Sequence, residues 1–143
     1  MNFLCPLVNH QFLQYVYISD MKIEVSNGEI IDKLTILEIK LEKIDDPPKL
    51  LNIKREYDIL LPLAAKIVNL DHKLVEELRI INSELWEIED NIRDKDRSNN
   101  FGPDFIDLAR KVYKKNDIRA KLKSDINGLT GSHLSEEKSY KDY

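Results

Sequence analysis

The chain has 143 residues, 42% of them hydrophobic and 34% charged, which is the length of one domain with enough apolar residues for a core of its own. Four glycines and five prolines exclude a collagen-like or linker-like chain, and 22 Lys and Arg against 26 Asp and Glu remove the strongly basic balance of a dedicated nucleic-acid binder. The single cysteine, Cys5, can form neither an internal disulfide nor a cysteine-based zinc site, which fits a reducing, cytoplasmic setting.

Residues 1–20 stand apart, because no charged side chain precedes Asp20 whereas charges are dense from Lys22 onward. A signal peptide needs a basic start and an unbroken apolar run, and a membrane span needs about 20 predominantly apolar residues. Pro6, Asn9, His10, Gln11 and Gln14 interrupt the stretch, so neither is expected. Residues 12–18 could form a β-prone strand, but the preferred reading takes 1–20 as an extension upstream of a domain that begins at Met21.

From Ser26 onward the pattern is helical. Ser26 and Glu29 have the S-x-x-E spacing of a reciprocal helix cap, and Ile30, Leu34, Leu37, Leu41 and Ile44 follow as one narrow seam. The run Asp45-Asp46-Pro47-Pro48 stops this helix, and a second begins near Pro48 with Leu50, Ile53, Tyr57, Leu60, Ala64 and Ile67 on one face. Pro62 lies inside it, which predicts a kink or short break. Asp71 is the expected cap of a third helix with the most regular seam of all, Leu74, Leu78, Ile81, Leu85, Ile88 and Ile92, running to about Arg97. After the turn Ser98 to Pro103, a fourth helix carries Phe105, Leu108, Val112, Leu122 and Ile126, with Gly128 as the expected stop and Gly131 as the alternative. Residues 132–143 read as a solvated tail.

Short connections favour antiparallel neighbours, so the expected fold is all-α, a three- to four-helix antiparallel bundle built on a long hairpin between residues 71–97 and 104–127. Nine acidic and five basic side chains on the first arm face seven basic and four acidic on the second, which supports that pairing. Residues 21–131 form the bundle domain, and the narrow seams suit self-association as a dimer or docking of another protein.

Candidate chemistry is sparse. His10, His72 and His133 have no Ser or Cys context that would make a nucleophilic triad, and no glycine-rich phosphate loop occurs, so no residue is assigned as catalytic. Glu29 and Asp32 on the first helix, and Glu84, Glu87 and Asp90 on the third, each project from one face; packed side by side they would hold Mg²⁺. The spacing is similar to that of all-α nucleotide pyrophosphohydrolases, with the order of the pairs reversed, and solvated helix faces carry such spacing as well. No cofactor is expected outside this Mg²⁺-dependent alternative.

Polar residues also occupy positions where the seams predict apolar ones. Arg110, Tyr113, Asn116, Asp117 and Arg119 share a face of the fourth helix, and Trp86, Asp90 and Arg93 share one on the third. Two readings follow: a buried network of Asp90, Arg93, Asn116 and Arg119 across the hairpin, or an anion pocket with Arg110, Arg119 and Lys33 as donors and Trp86 or Tyr113 as stacking faces. The cluster Arg110, Lys111, Lys114, Lys115, Arg119, Lys121 and Lys123 raises nucleic acid as a further alternative, weakened by the acidic neighbouring helix and the lack of interleaved aromatics other than Tyr113.

Four segments, residues 23–40, 85–93, 101–120 and 136–140, with Glu24-Val25-Ser26-Asn27-Gly28-Glu29, Leu85-Trp86-Glu87-Ile88-Glu89-Asp90, Leu108-Ala109-Arg110 and Glu136-Glu137-Lys138-Ser139-Tyr140 among them, together resemble a family of short bacterial and phage-type proteins, a domain of unknown function. The resemblance implies a domain starting at Met21 and an accessory place in glycan or lipopolysaccharide biosynthesis. It also implies that Glu136 to Tyr140 docks on the bundle and brings Lys138 and Tyr140 toward the polar face. The expected role is binding or scaffolding, with the Mg²⁺-dependent hydrolase or transferase of nucleotide or sugar-phosphate substrates as the runner-up.

Overall fold

The computed structural model describes residues 22–139; Cys5, His10, residues 12–18, Met21 and Tyr140 lie outside the described residues. Four helices follow one another: α1, Asn27–Lys43; α2, Pro47–Ile67; α3, Lys73–Arg97; and α4, Pro103–Thr130. No strand occurs among the described residues, and the chain is all-α as its seams predict.

Ser26 caps α1 by accepting the Glu29 N–H at 3.3 Å. The reciprocal half of that cap is not made, because the Glu29 carboxylate reaches Lys123 Nζ on α4 at 2.5 Å instead. Asp46 caps α2 through the Lys49 N–H at 3.0 Å, and the prolines that end α1 occupy the first turn of α2, where a missing N–H costs nothing. Of the kink or short break expected at Pro62, the break is absent, and α2 runs on through the proline. Pro62 is exposed on the outer face of α2, while Leu60 and Leu61 before it and the fully buried Ala64 after it are packed into the core, which holds the helix across the lost hydrogen bond. His72, not Asp71, caps α3: its Nδ1 accepts the Leu74 N–H at 3.2 Å, and Asp71 is spent in the preceding turn, donating its N–H to Asn69 Oδ1. Helix α4 passes Gly128 and ends at Gly131, whose φ of 62° is the left-handed conformation that closes the last turn.

The hairpin of α3 and α4 is antiparallel, pinned by Lys115 to Glu84 at 2.6 Å and Lys95 to Asp104 at 3.3 Å. Helix α1 lies against both arms and α2 packs on α1. The core joins Ile31 and Leu34 of α1, Ala64 of α2, Val75, Leu78, Ile81 and Leu85 of α3, and Leu122 and Ile126 of α4. Helices α1 and α4 approach closely at Gly28, where a Cβ would stand 2.4 Å from the Lys123 carbonyl oxygen. Only glycine lets the first turn of α1 lie on the α4 backbone, and there the Gly28 N–H donates to Asn127 Oδ1 at 2.6 Å. Among the described residues no helix is long and apolar enough to cross a membrane.

Candidate functional site

Helices α1, α3 and α4 meet at Asp32, which is 2% exposed. A carboxylate taken from water needs a countercharge and hydrogen bonds for both oxygens. Arg119 supplies a two-pronged grip, Nε donating to Oδ1 at 2.8 Å and Nη2 to Oδ2 at 2.6 Å. Asn82 Nδ2 adds a bond to Asp32 Oδ1 and a second to Thr35 Oγ1, each 2.9 Å. The Thr35 hydroxyl donates in turn to the Asp32 main-chain oxygen at 2.9 Å. Arg119 Nη1 donates to Asn116 Oδ1 at 3.3 Å, and Asn116 Nδ2 to the Val112 carbonyl at 3.0 Å. The Asp32 hydrogen bonds hold Arg119 above its ordinary pKa against the opposing effect of its own burial, so the guanidinium stays charged throughout.

Above this junction opens a cleft of about 390 Å³, lined by Ile36 and Ile39 of α1, Asn82, Leu85, Trp86, Glu89 and Arg93 of α3, and Arg119 of α4. Ile39, Asn82 and Leu85 are its buried walls, and Arg119 is partly exposed. At its open end Arg93 is held by Glu89 and Asp90, both at 3.0 Å.

The residues singled out from the sequence divide sharply. Trp86, Arg93 and Arg119 come together in the cleft, and Asn116 supports Arg119. Lys33 turns to α2, where it pairs with Glu56 at 2.5 Å, and Arg110, Tyr113 and Asp117 are not among the cleft walls. The network expected across the hairpin is replaced by another. Asp90 and Arg93 pair with each other on the surface of α3, while Arg119 and Asn116 join Asp32 of α1. Sequence reasoning misses Asn82 and Thr35. Asn82 lies between Leu78 and Leu85 at helical spacing, a polar side chain where the α3 stripe calls for an apolar one, and that is the available signal.

The carboxylates expected to hold Mg²⁺ are not brought side by side. Glu29 pairs with Lys123, Asp32 with Arg119, Glu84 with Lys115, Glu87 with Lys43 at 2.5 Å, and Asp90 with Arg93. Among the described residues no three His, Cys, Asp or Glu side chains form a metal-holding group. The basic cluster of α4 is dispersed in the same way, since Lys111 pairs with Asp107 and Lys121 with Asp125, both at 2.7 Å, and Lys115, Arg119 and Lys123 are committed as described.

Residues 132–139 run back along the start of α1. Ser132 Oγ accepts the Asn27 N–H at 3.0 Å, and Glu136 meets the buried Lys123 ammonium at 3.0 Å, with Lys138 a further 3.7 Å from Glu136. Burial pulls Lys123 down, but the hydrogen bonds it donates to Glu29 and Glu136 outweigh it and leave its pKa raised; the bond from Lys123 holds Glu136 below the usual carboxylate range.

Residues 21–143 match the profile of a family described as a family of unknown function, DUF6165. The chain belongs to that family. The match spans the junction, the cleft and the tail alike. Comparison with curated proteins and with solved structures gives no match.

Replacing Asp32 by alanine strands the Arg119 guanidinium and one Asn82 hydrogen in the interior, and the expected loss in urea denaturation is about 3–5 kcal/mol. Combining Asp32→Leu with Arg119→Met should recover most of it, because both charges leave together. A loss under about 1 kcal/mol for Asp32→Ala, the value of an exposed pair, would contradict the junction.

Proposed function

We propose that this chain is a binding protein whose cleft between α1, α3 and α4 takes a flat, polar ring without net charge. One observation carries the reading: the only tryptophan of the chain shares a cleft with Ile36, Ile39 and Leu85 for a ring's faces and with Asn82 and Arg119 for its polar edge. The cleft's volume of about 390 Å³ falls within the roughly 300–1,000 Å³ of small-molecule sites.

Charge favours this ligand over a simple anion. Arg119 is neutralised by Asp32, Arg93 by Glu89 and Asp90, and Lys33 by Glu56. A bare phosphate would have to displace a carboxylate at each of these cations. The Mg²⁺-dependent alternative needs carboxylates that converge, and the nucleic-acid alternative needs a continuous run of unspent cations; the pairings above support neither. An accessory place in glycan or lipopolysaccharide assembly accords with a binder of this kind, because nucleotide-activated sugars carry a flat polar ring.

Because Trp86 is the only tryptophan, its fluorescence reports the cleft without labelling. Nucleosides should quench it saturably, whereas inorganic phosphate and glucose 6-phosphate should not. Absence of saturable quenching by any ring compound, or equal quenching by glucose 6-phosphate, overturns the reading.

Self-association is a second reading, favoured by the turn end of the hairpin. Phe101 and Ile106 are 52% and 56% exposed there, and helices of opposite charge bias would face one another in a two-fold pair. Sedimentation equilibrium should return twice the 16.8 kDa of one chain, and a single-chain mass overturns this reading.

A further inference from the structure

Helix α2 packs on α1 and makes no comparable contact with α3 or α4. Its inner side is the seam Leu50, Ile53, Tyr57, Leu60, Ala64 and Ile67, half-buried throughout and fully buried at Ala64. A second line runs along the opposite side at helical spacing: Leu51, Arg55, Ile59, Leu63 and Lys66. All five are exposed, Leu51 and Ile59 at 63% each and Leu63 at 48%. Single exposed aliphatic residues are ordinary, but three aligned on one helix face form a patch that marks a contact.

Charge decides what kind of contact. The cations of α2 divide into two sets. Lys49 is paired with Asp46 and Lys54 with Asp58, whereas Arg55 and Lys66, the two on the outer line, take part in no ion pair among the described residues. The acids of the helix, Glu56 and Asp58, stand off that line and are spent on Lys33 and Lys54. In a chain of net charge −4, the outer face of α2 is therefore apolar and cationic, with no carboxylate on it.

We infer that α2 lies along an anionic lipid surface, with Leu51, Ile59 and Leu63 in the headgroup layer and Arg55 and Lys66 on lipid phosphates. The long stems of Arg and Lys keep their charged ends at phosphate level while the aliphatic side chains sink deeper. Lying on a bilayer asks for one such face, not for the long apolar helix that crossing demands and that no described helix provides. A second copy fits this face poorly, because a two-fold pair would set Arg55 and Lys66 against their own kind with no carboxylate on either line to meet them. A protein partner would need an acidic groove shaped to a convex helix, whereas a bilayer yields to one.

The test is flotation of the full chain with vesicles of phosphatidylcholine alone and of an equal mixture of phosphatidylglycerol and phosphatidylcholine. The affinity for the anionic vesicles is expected to be roughly tenfold higher or more, and to fall as salt is raised. That preference is the reverse of what the net negative charge of the chain dictates, so it reports a basic face. Two variants at exposed positions, Arg55→Glu with Lys66→Glu and Ile59→Asp, should each abolish flotation while circular dichroism keeps the native helix signal. Equal binding to both vesicles, or anionic binding that survives the double charge reversal, overturns the inference. So does absence of flotation, the result expected if another segment of the chain or an acidic protein covers the face. A dimer that Ile59→Asp dissociates would assign the face to a second copy and overturn it as well.

Discussion

Asp32 lies where α1 meets both arms of the α3–α4 hairpin, and an ion at that depth is tolerable only because Arg119 meets it edge on with two short hydrogen bonds. Hydrophobic contact brings the same helices together, since Ile31 and Leu34 beside Asp32 are fully buried against α3 and α4 residues. Apolar seams, however, tolerate sliding and rotation, whereas a carboxylate whose oxygens are fixed by a guanidinium and an amide allows one register. The pair therefore does less for net stability than its bonds suggest and more for geometry: it fixes how α1 sits on the hairpin, and with that the shape of the cleft above it.

A second tie holds α1 to α4 near the other end of the contact. Gly28 lies almost on the α4 backbone, Asn127 takes its N–H, and Lys123 gathers Glu29 from α1 and Glu136 from the returning tail. Two separated polar anchors along one helix pair prevent α1 from pivoting about either. The cleft, which needs Ile36 and Ile39 of α1 to stay opposite Trp86 of α3, depends on that restraint.

Much of the fold was legible in the sequence because local rules and the core agreed. The middles of the α1 and α3 seams, Leu34 and Leu37 on the one and Leu78, Ile81 and Leu85 on the other, are buried where their spacing put them, Ser26 and the paired prolines mark real helix ends, and the opposite charge of the hairpin arms recurs as the Glu84–Lys115 pair. Where a local rule was overridden, a tertiary contact did it. Pro62 stays helical because Ala64 is locked in the core, and Gly128 is passed because Asn127 and Thr130 are bound to α1. The candidate site was legible only in part. Spacing places Asp32 and Glu29 on one face of a helix but says nothing of what lies opposite, and the opposite groups are Arg119 and Lys123, not other carboxylates. Trp86, Arg93 and Arg119 were found by being polar or aromatic on a core-facing line, and Asn82 carried the same signal more faintly.

The account places binding in a cleft whose polar end owes its direction to a single chain of bonds, from Arg119 to Asp32 to Asn82. That chain can be observed without any ligand, through the side-chain amide of Asn82 in nuclear magnetic resonance spectra. Both Asn82 Nδ2 hydrogens should be shifted apart and protected from exchange with water in the native chain. In Arg119→Lys, which keeps the charge and loses the two-pronged grip, that protection should fall while the backbone amides of the α1 core stay protected. An Asn82 amide that exchanges freely in the native chain, or one that Arg119→Lys leaves unchanged, would contradict the central claim that this pair sets the site.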